Sequence, residues 1–198
     1  LNSIRLVFLS FFFLLLLLLS GCAYLPRIVL LAKDPLTAEE HNNLGVAYER
    51  EGKYELAIRE YKKALDKNPS LITPLVNIGN TYFKQGNFEE AERYYLRVLK
   101  KDESSIEAAN NLAFLYLSLN SNYEAGLRYL NRAIAYSHGE VPAYALDTLG
   151  ALYSRLGRRD KAIFFLTIAC KKAVDNTELL REIEGHLQEI GMERCPGR

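Results

Sequence analysis

Three cysteines and three histidines have the broadest chemical repertoire in this chain. His41, His138 and His186 are far apart, with none of the short spacings that bring two ligands to one metal. No metal or cofactor is expected. Cys170 has no histidine near it in the hydrophobic register of its segment, so it lacks the base that would activate a thiol. The chain contains no Gly-x-Ser-x-Gly, no phosphate-binding glycine loop and no His-Glu-x-x-His. With these constellations absent, enzyme activity is not expected. The 25 Lys and Arg nearly balance the 24 Asp and Glu. Basic clusters such as Lys62-Lys63 and Lys100-Lys101 fit solvated helix faces better than a polyanion site, so no nucleic-acid partner is expected.

The third cysteine, Cys22, follows a different kind of sequence. Leu6 to Leu19 is apolar except for Ser10, and Arg5 precedes it. A basic start and an apolar run shorter than the ~18 residues of a membrane span read as a secretory signal over 1–21. An uncleaved span running to about Leu25 is the competing reading. Leu19-Ser20-Gly21-Cys22 resembles the bacterial lipobox. The resemblance implies diacylglycerol on the Cys22 sulfur, cleavage before Cys22 and acylation of the new amino group. Two or more acyl chains make a stable anchor where one does not. In Gram-negative lipoproteins an Asp after the acylated cysteine favours the inner membrane. Ala23 stands there, which implies the outer membrane with the body in the periplasm. In a Gram-positive host the body would lie on the outer face of the single membrane. Residues 22–37 then form a lipidated tether. In such an oxidising compartment Cys170 and Cys195 can pair, or Cys170 can stay buried and Cys195 loose. Connectivity is not legible from sequence alone.

The remaining chain must be read as elements, and its elements repeat. His41, Leu44-Gly45, Tyr48, Ala57, Tyr61, Ala64 and Pro69 come back as Leu75, Ile78-Gly79, Tyr82, Ala91, Tyr95 and Val98. A third copy gives Ala109, Leu112-Ala113, Tyr116, Gly126, Leu130 and Ala133; a fourth gives Leu146, Leu149-Gly150, Tyr153, Ala162, Leu166 and Ala169. The period is about 34 residues, and the pattern resembles the tetratricopeptide repeat, W-x₂-L-G-x₂-Y…A-x₃-F…P. The resemblance implies an all-α solenoid: four helix-turn-helix repeats, about 38–71, 72–105, 106–142 and 143–176, stacked into a right-handed superhelix. Small residues at Gly45, Gly79, Ala113 and Gly150 are expected to meet Ala57, Ala91, Gly126 and Ala162. Thr37 with Glu40 reads as a capping box. Repeat three carries one residue more in its turn, Asn120-Ser121-Asn122. The apolar stripe of 177–190 reads as a helix capping the last repeat, and 191–198 as a tail.

In the family, first helices line the concave face and their inward residues read peptides. Projecting each first helix gives a groove centred on Val76, Asn80, Phe83, Lys84, Asn110, Phe114 and Leu117. Aromatic and aliphatic groups not needed for stacking require an explanation, and carboxamides can bond both N–H and C=O of a bound backbone. Packing of Phe83 against Phe114 is the competing account. Asn43, Asn77 and Asn111 sit at a consensus asparagine position and are assigned to the scaffold. The basic clamp that some family members use for acidic C-terminal tails is missing, since Asn42 and Val46 occupy its positions. The expectation is a membrane-anchored adaptor, monomeric or oligomeric, that holds a protein or peptide partner in an envelope machine concerned with pili, secretion or murein. An accessory enzyme of the envelope and a structural spacer are the alternatives.

Overall fold

A computed structural model describes residues 34–196. Cys22 and most of the tether lie outside the described residues. Among the described residues there are nine helices and no strand: α1 Ala38–Arg50, α2 Tyr54–Lys67, α3 Thr73–Lys84, α4 Phe88–Lys101, α5 Ile106–Ser118, α6 Tyr123–Tyr136, α7 Ala143–Arg155, α8 Arg159–Lys172 and α9 Thr177–Glu189. None of these is long and apolar enough to cross a membrane. Successive helices pair antiparallel and each pair packs on the next, so contacts are confined to near neighbours in sequence.

The helix ends follow from local chemistry. The Thr37 hydroxyl accepts from the Glu40 N–H while the Thr37 N–H donates to the Glu40 carboxylate, which closes the capping box on α1. The turn after α3 is closed by Gly86, whose φ of +74° a residue with Cβ adopts only at a cost. In repeat three the same duty falls on Asn120 at φ 49°, and the extra residue, Asn122, takes a second left-handed step at φ 52°. Asparagine is the non-glycine residue that tolerates this region best.

The interior of each repeat corrects one expectation. A Cβ built on Gly79 would lie 2.6 Å from Tyr95 Cε1. Gly45 and Gly150 stand against Tyr61 and Leu166 in the same way. The nearest partner of these glycines is thus the large residue one turn beyond the expected alanine. Small-to-small contact occurs in repeat three, where a Cβ on Gly126 would lie 3.2 Å from Ala113 Cα.

The main core runs from Ala57 through Ala162, and a second cluster joins α8 to α9 through Leu166, Cys170, Leu180, Ile183 and Leu187. Cys170 and Cys195 are bonded, so the segment after α9 is tied to the end of α8. Both half-cystines are buried. The Arg159 guanidinium donates two hydrogen bonds, 2.9 and 2.8 Å, to the Ile190 carbonyl at the end of α9. Carbonyls at a helix end lack intrahelical donors, and a cation there satisfies them.

Candidate functional site

The first helices contribute their residues in register, and depth in the groove depends on that register. The position three before the small residue is held by Asn42, Val76, Asn110 and Asp147. It lies deep. Val76 is 2% exposed and Asp147 6%. Val76 is therefore core and does not line the groove, which corrects the sequence reading: facing inward on α3 places it between packed helices, beneath the accessible surface.

Asn80 is largely spent on the scaffold. Its Oδ1 accepts from the Tyr95 hydroxyl at 2.9 Å and from Asn111 Nδ2 at 2.8 Å. Asn77 Nδ2 donates to Asn42 Oδ1 at 3.0 Å, one repeat back. Lys84 Nζ lies 2.6 Å from Glu49 Oε1, an inter-repeat ion pair on the rim. Glu49 also accepts from Tyr61 (2.7 Å) and Thr81 (3.1 Å). Burial pushes the Glu49 carboxyl up, but these donors outweigh it and hold the group below the usual carboxylate range. Its own burial, and then the same contact, push the Tyr61 phenol up.

Phe83 and Phe114 pack on each other with centroids 5.8 Å apart, and Phe83 also meets Phe88 at 5.5 Å. The contact leaves Phe114 51% exposed. Two cavities share this ring. One, of about 250 Å³, is lined by Asn80, Phe83, Lys84, Tyr95 and Asn111. The other, of about 520 Å³, lies between α5, α7 and α9. Asn110, Phe114, Leu117 and Ser118 form its α5 wall; Tyr144, Asp147, Ala151 and Arg155 come from α7; Leu179, Glu182, His186 and Glu189 come from α9. Asn80, Phe83, Lys84, Asn110, Phe114 and Leu117 thus reach cavity walls, while Val76 does not. A shallower hollow of about 340 Å³ between α4 and α6 is crossed by the Arg132–Glu103 ion pair at 2.7 Å.

The larger cavity also holds a pair that sequence reasoning left apart. His186 Nδ1 lies 2.8 Å from Asp147 Oδ1. A lone histidine on a capping helix carries no signal by itself. Asp147, however, stands where Val76 is buried, and a carboxylate at a buried register position requires a partner. Hydrogen bonding to Asp147 raises the His186 pKa, opposed by partial burial and aided by Glu189 and Glu182. A raised folded-state value means the charged pair stabilises α9 fully below the unfolded pKa of about 6.5, and that the contribution is lost as pH climbs through the folded value. We expect the advantage of wild type over Asp147→Asn in melting temperature to be largest near pH ~5 and to shrink toward pH ~8. A His186 pKa measured by NMR at or below the ordinary imidazole value would contradict this. Among the described residues, no three metal-ligating side chains converge.

Antiparallel helical pairs, each packed on the next, make an α-solenoid. Tetratricopeptide repeat models match residues 37–104 and 76–140, and the chain belongs to that family. No curated protein sequence matches it. Among solved structures, a thermophilic tetratricopeptide repeat protein of Thermus thermophilus is 22% identical with a TM-score of 0.65, over 78% of this chain and 83% of that one. MamA is 26% identical with a TM-score of 0.61, over 79% and 84%. YrrB, described as having an unusual peptide-binding site, is 18% identical with a TM-score of 0.57, over 76% of each chain. These likenesses establish the fold.

Proposed function

We propose that the chain is an adaptor of a bacterial cell envelope. Lipid on Cys22 holds it to a membrane, in a Gram-negative host the outer one, and the groove around Phe114 holds a segment of a partner protein during assembly of an envelope machine. The observation that carries this reading is the Phe114 ring, half exposed on the inner face with a cavity on either side. A large aromatic kept in water at the centre of a concavity is an anchor in search of a complement. The peptide-binding site described for YrrB supports the reading by analogy of fold.

Phe114→Ala is the direct test. The ring is half solvated, so the melting temperature should move by only a few degrees, of the order of ~1 kcal/mol. Truncating a central anchor costs ~2 kcal/mol or more of binding, so recovery of the partner from its own membrane should fall at least about thirtyfold. Unchanged recovery would move the site elsewhere. The anchor is tested separately. Cys22→Ala should accumulate as an uncleaved precursor with no palmitate incorporation, and labelling equal to wild type would end the lipoprotein reading.

A further inference from the structure

The cavity between α5, α7 and α9 has a donor–acceptor balance that the adaptor reading does not use. Two of its hydroxyls are spent internally, Ser118 Oγ donating to the Phe114 carbonyl at 2.9 Å and Thr148 Oγ1 to the Tyr144 carbonyl at 3.0 Å, and the Tyr144 side chain also borders it. Arg155 faces Glu189 at 3.5 Å. Acceptors remain. Asn110 Oδ1 is shielded from solvent and has no hydrogen-bond partner, an unmet acceptor that is costly to keep. The wall holds three carboxylates, Asp147, Glu182 and Glu189, against one guanidinium and one imidazole. Apolar surface lies beside them at Phe114, Leu117, Ala151 and Leu179. A cavity whose carboxylates outnumber its cations, with an apolar wall beside them, fits a ligand with a positive charge and a hydrocarbon stem.

Resting on the adaptor reading, we propose that this cavity is a specificity pocket for a basic side chain, arginine above all, of the segment held in the groove. The stem lies along Phe114 and Leu117, and the guanidinium donates to Asn110 Oδ1 and to the Asp147 oxygen that His186 does not engage. Asn110 is partly exposed, so a small side-chain rotation presents its oxygen to the pocket. The cavity, about 520 Å³, has room for one long side chain with its backbone. Protonated His186 competes with the incoming cation for Asp147, and Arg155 adds a fixed positive charge. Glu182 and Glu189 add negative charge that favours the cation. Affinity therefore rises as His186 loses its proton.

The probes are N-acetyl-arginine-N-methylamide and its citrulline and glutamate counterparts, titrated into the full protein by NMR. Citrulline keeps the shape of arginine and removes the charge. The arginine amide should shift the Asn110 side-chain amide and the His186 ring signals saturably, bind at least about tenfold more tightly than citrulline, and lower the His186 pKa. The glutamate amide should give no saturable shift. Asp147→Asn, once its circular dichroism matches wild type, should bring arginine down to citrulline. Citrulline binding within twofold of arginine, or no saturable shift at Asn110 and His186, overturns the pocket even with wild-type protein alone. Partner recovery that survives Asp147→Asn but is lost in Phe114→Ala removes the pocket and leaves the adaptor. Recovery indifferent to Phe114→Ala, with the arginine amide still saturating the cavity, removes the adaptor's groove and leaves the cation site.

Discussion

Gly79→Leu should unfold at a temperature roughly 10 °C below wild type, a loss of about 3 kcal/mol. Leucine is the better helix former by just under ~1 kcal/mol, which works against the prediction. Sterics decide the sign. The new Cβ alone would sit 2.6 Å from Tyr95 Cε1 and 2.8 Å from Cδ1. Tyr95 is 2% exposed and cannot swing into solvent. Its hydroxyl is bonded to Asn80 Oδ1, which also receives Asn111 of the next repeat. Moving the ring therefore breaks its bond to Asn80, the residue that ties repeat two to Asn111 of repeat three, as well as local packing. Gly79→Ala should fall between the two. A melting temperature for the leucine variant within two degrees of wild type would mean that α3 and α4 do not approach as described.

Opening the Cys170–Cys195 bond should have the second large effect, confined to one end. The bond closes 25 residues, and a loop of that length restrains the unfolded chain by about 3.5 kcal/mol in the chain-entropy model. Cys170→Ser with Cys195→Ser should raise amide exchange across α9 by roughly three hundredfold if opening there is local. Repeats one and two should be little changed, because each unit of a solenoid leans mainly on its neighbours. The α9 wall of the larger cavity would loosen with it. Equal protection of α9 in the oxidised and serine proteins would show that its apolar face alone holds it.

The repeats were legible because their signal is redundant. Leu-Gly-x-x-Tyr with a small residue further on states the same packing solution in successive copies, and Thr37 and Glu40 announce the first helix by a local hydrogen-bond rule. The partners of Gly45, Gly79 and Gly150 were misjudged for a geometric reason. The repeat pattern records which positions are small, but not which neighbouring side chain leans over them. Val76 was misplaced for a related reason: projection gives the direction of a side chain, not its depth. Lys84, Asn80 and the Phe83–Phe114 pair were found on the right face, yet their commitments to Glu49, Tyr95 and each other are contacts across 15 to 35 residues of sequence. The Asp147–His186 pair spans 39 residues and joins a repeat to its cap. No periodicity relates those two elements. The available clue was a charge in a register position that Val76 fills with a hydrocarbon.

The bond between α8 and the tail also fixes an order of events. Every helix packs on elements near it in sequence, and chains dominated by local contacts fold in microseconds to milliseconds. Disulfide formation takes seconds to hours. The array, its cap and the buried meeting of the two thiols are thus in place long before oxidation. The covalent step acts on a finished surface and guides nothing. It works as a late seal on a fold that already stands, and the state of one pair of sulfur atoms records only whether that seal has been set.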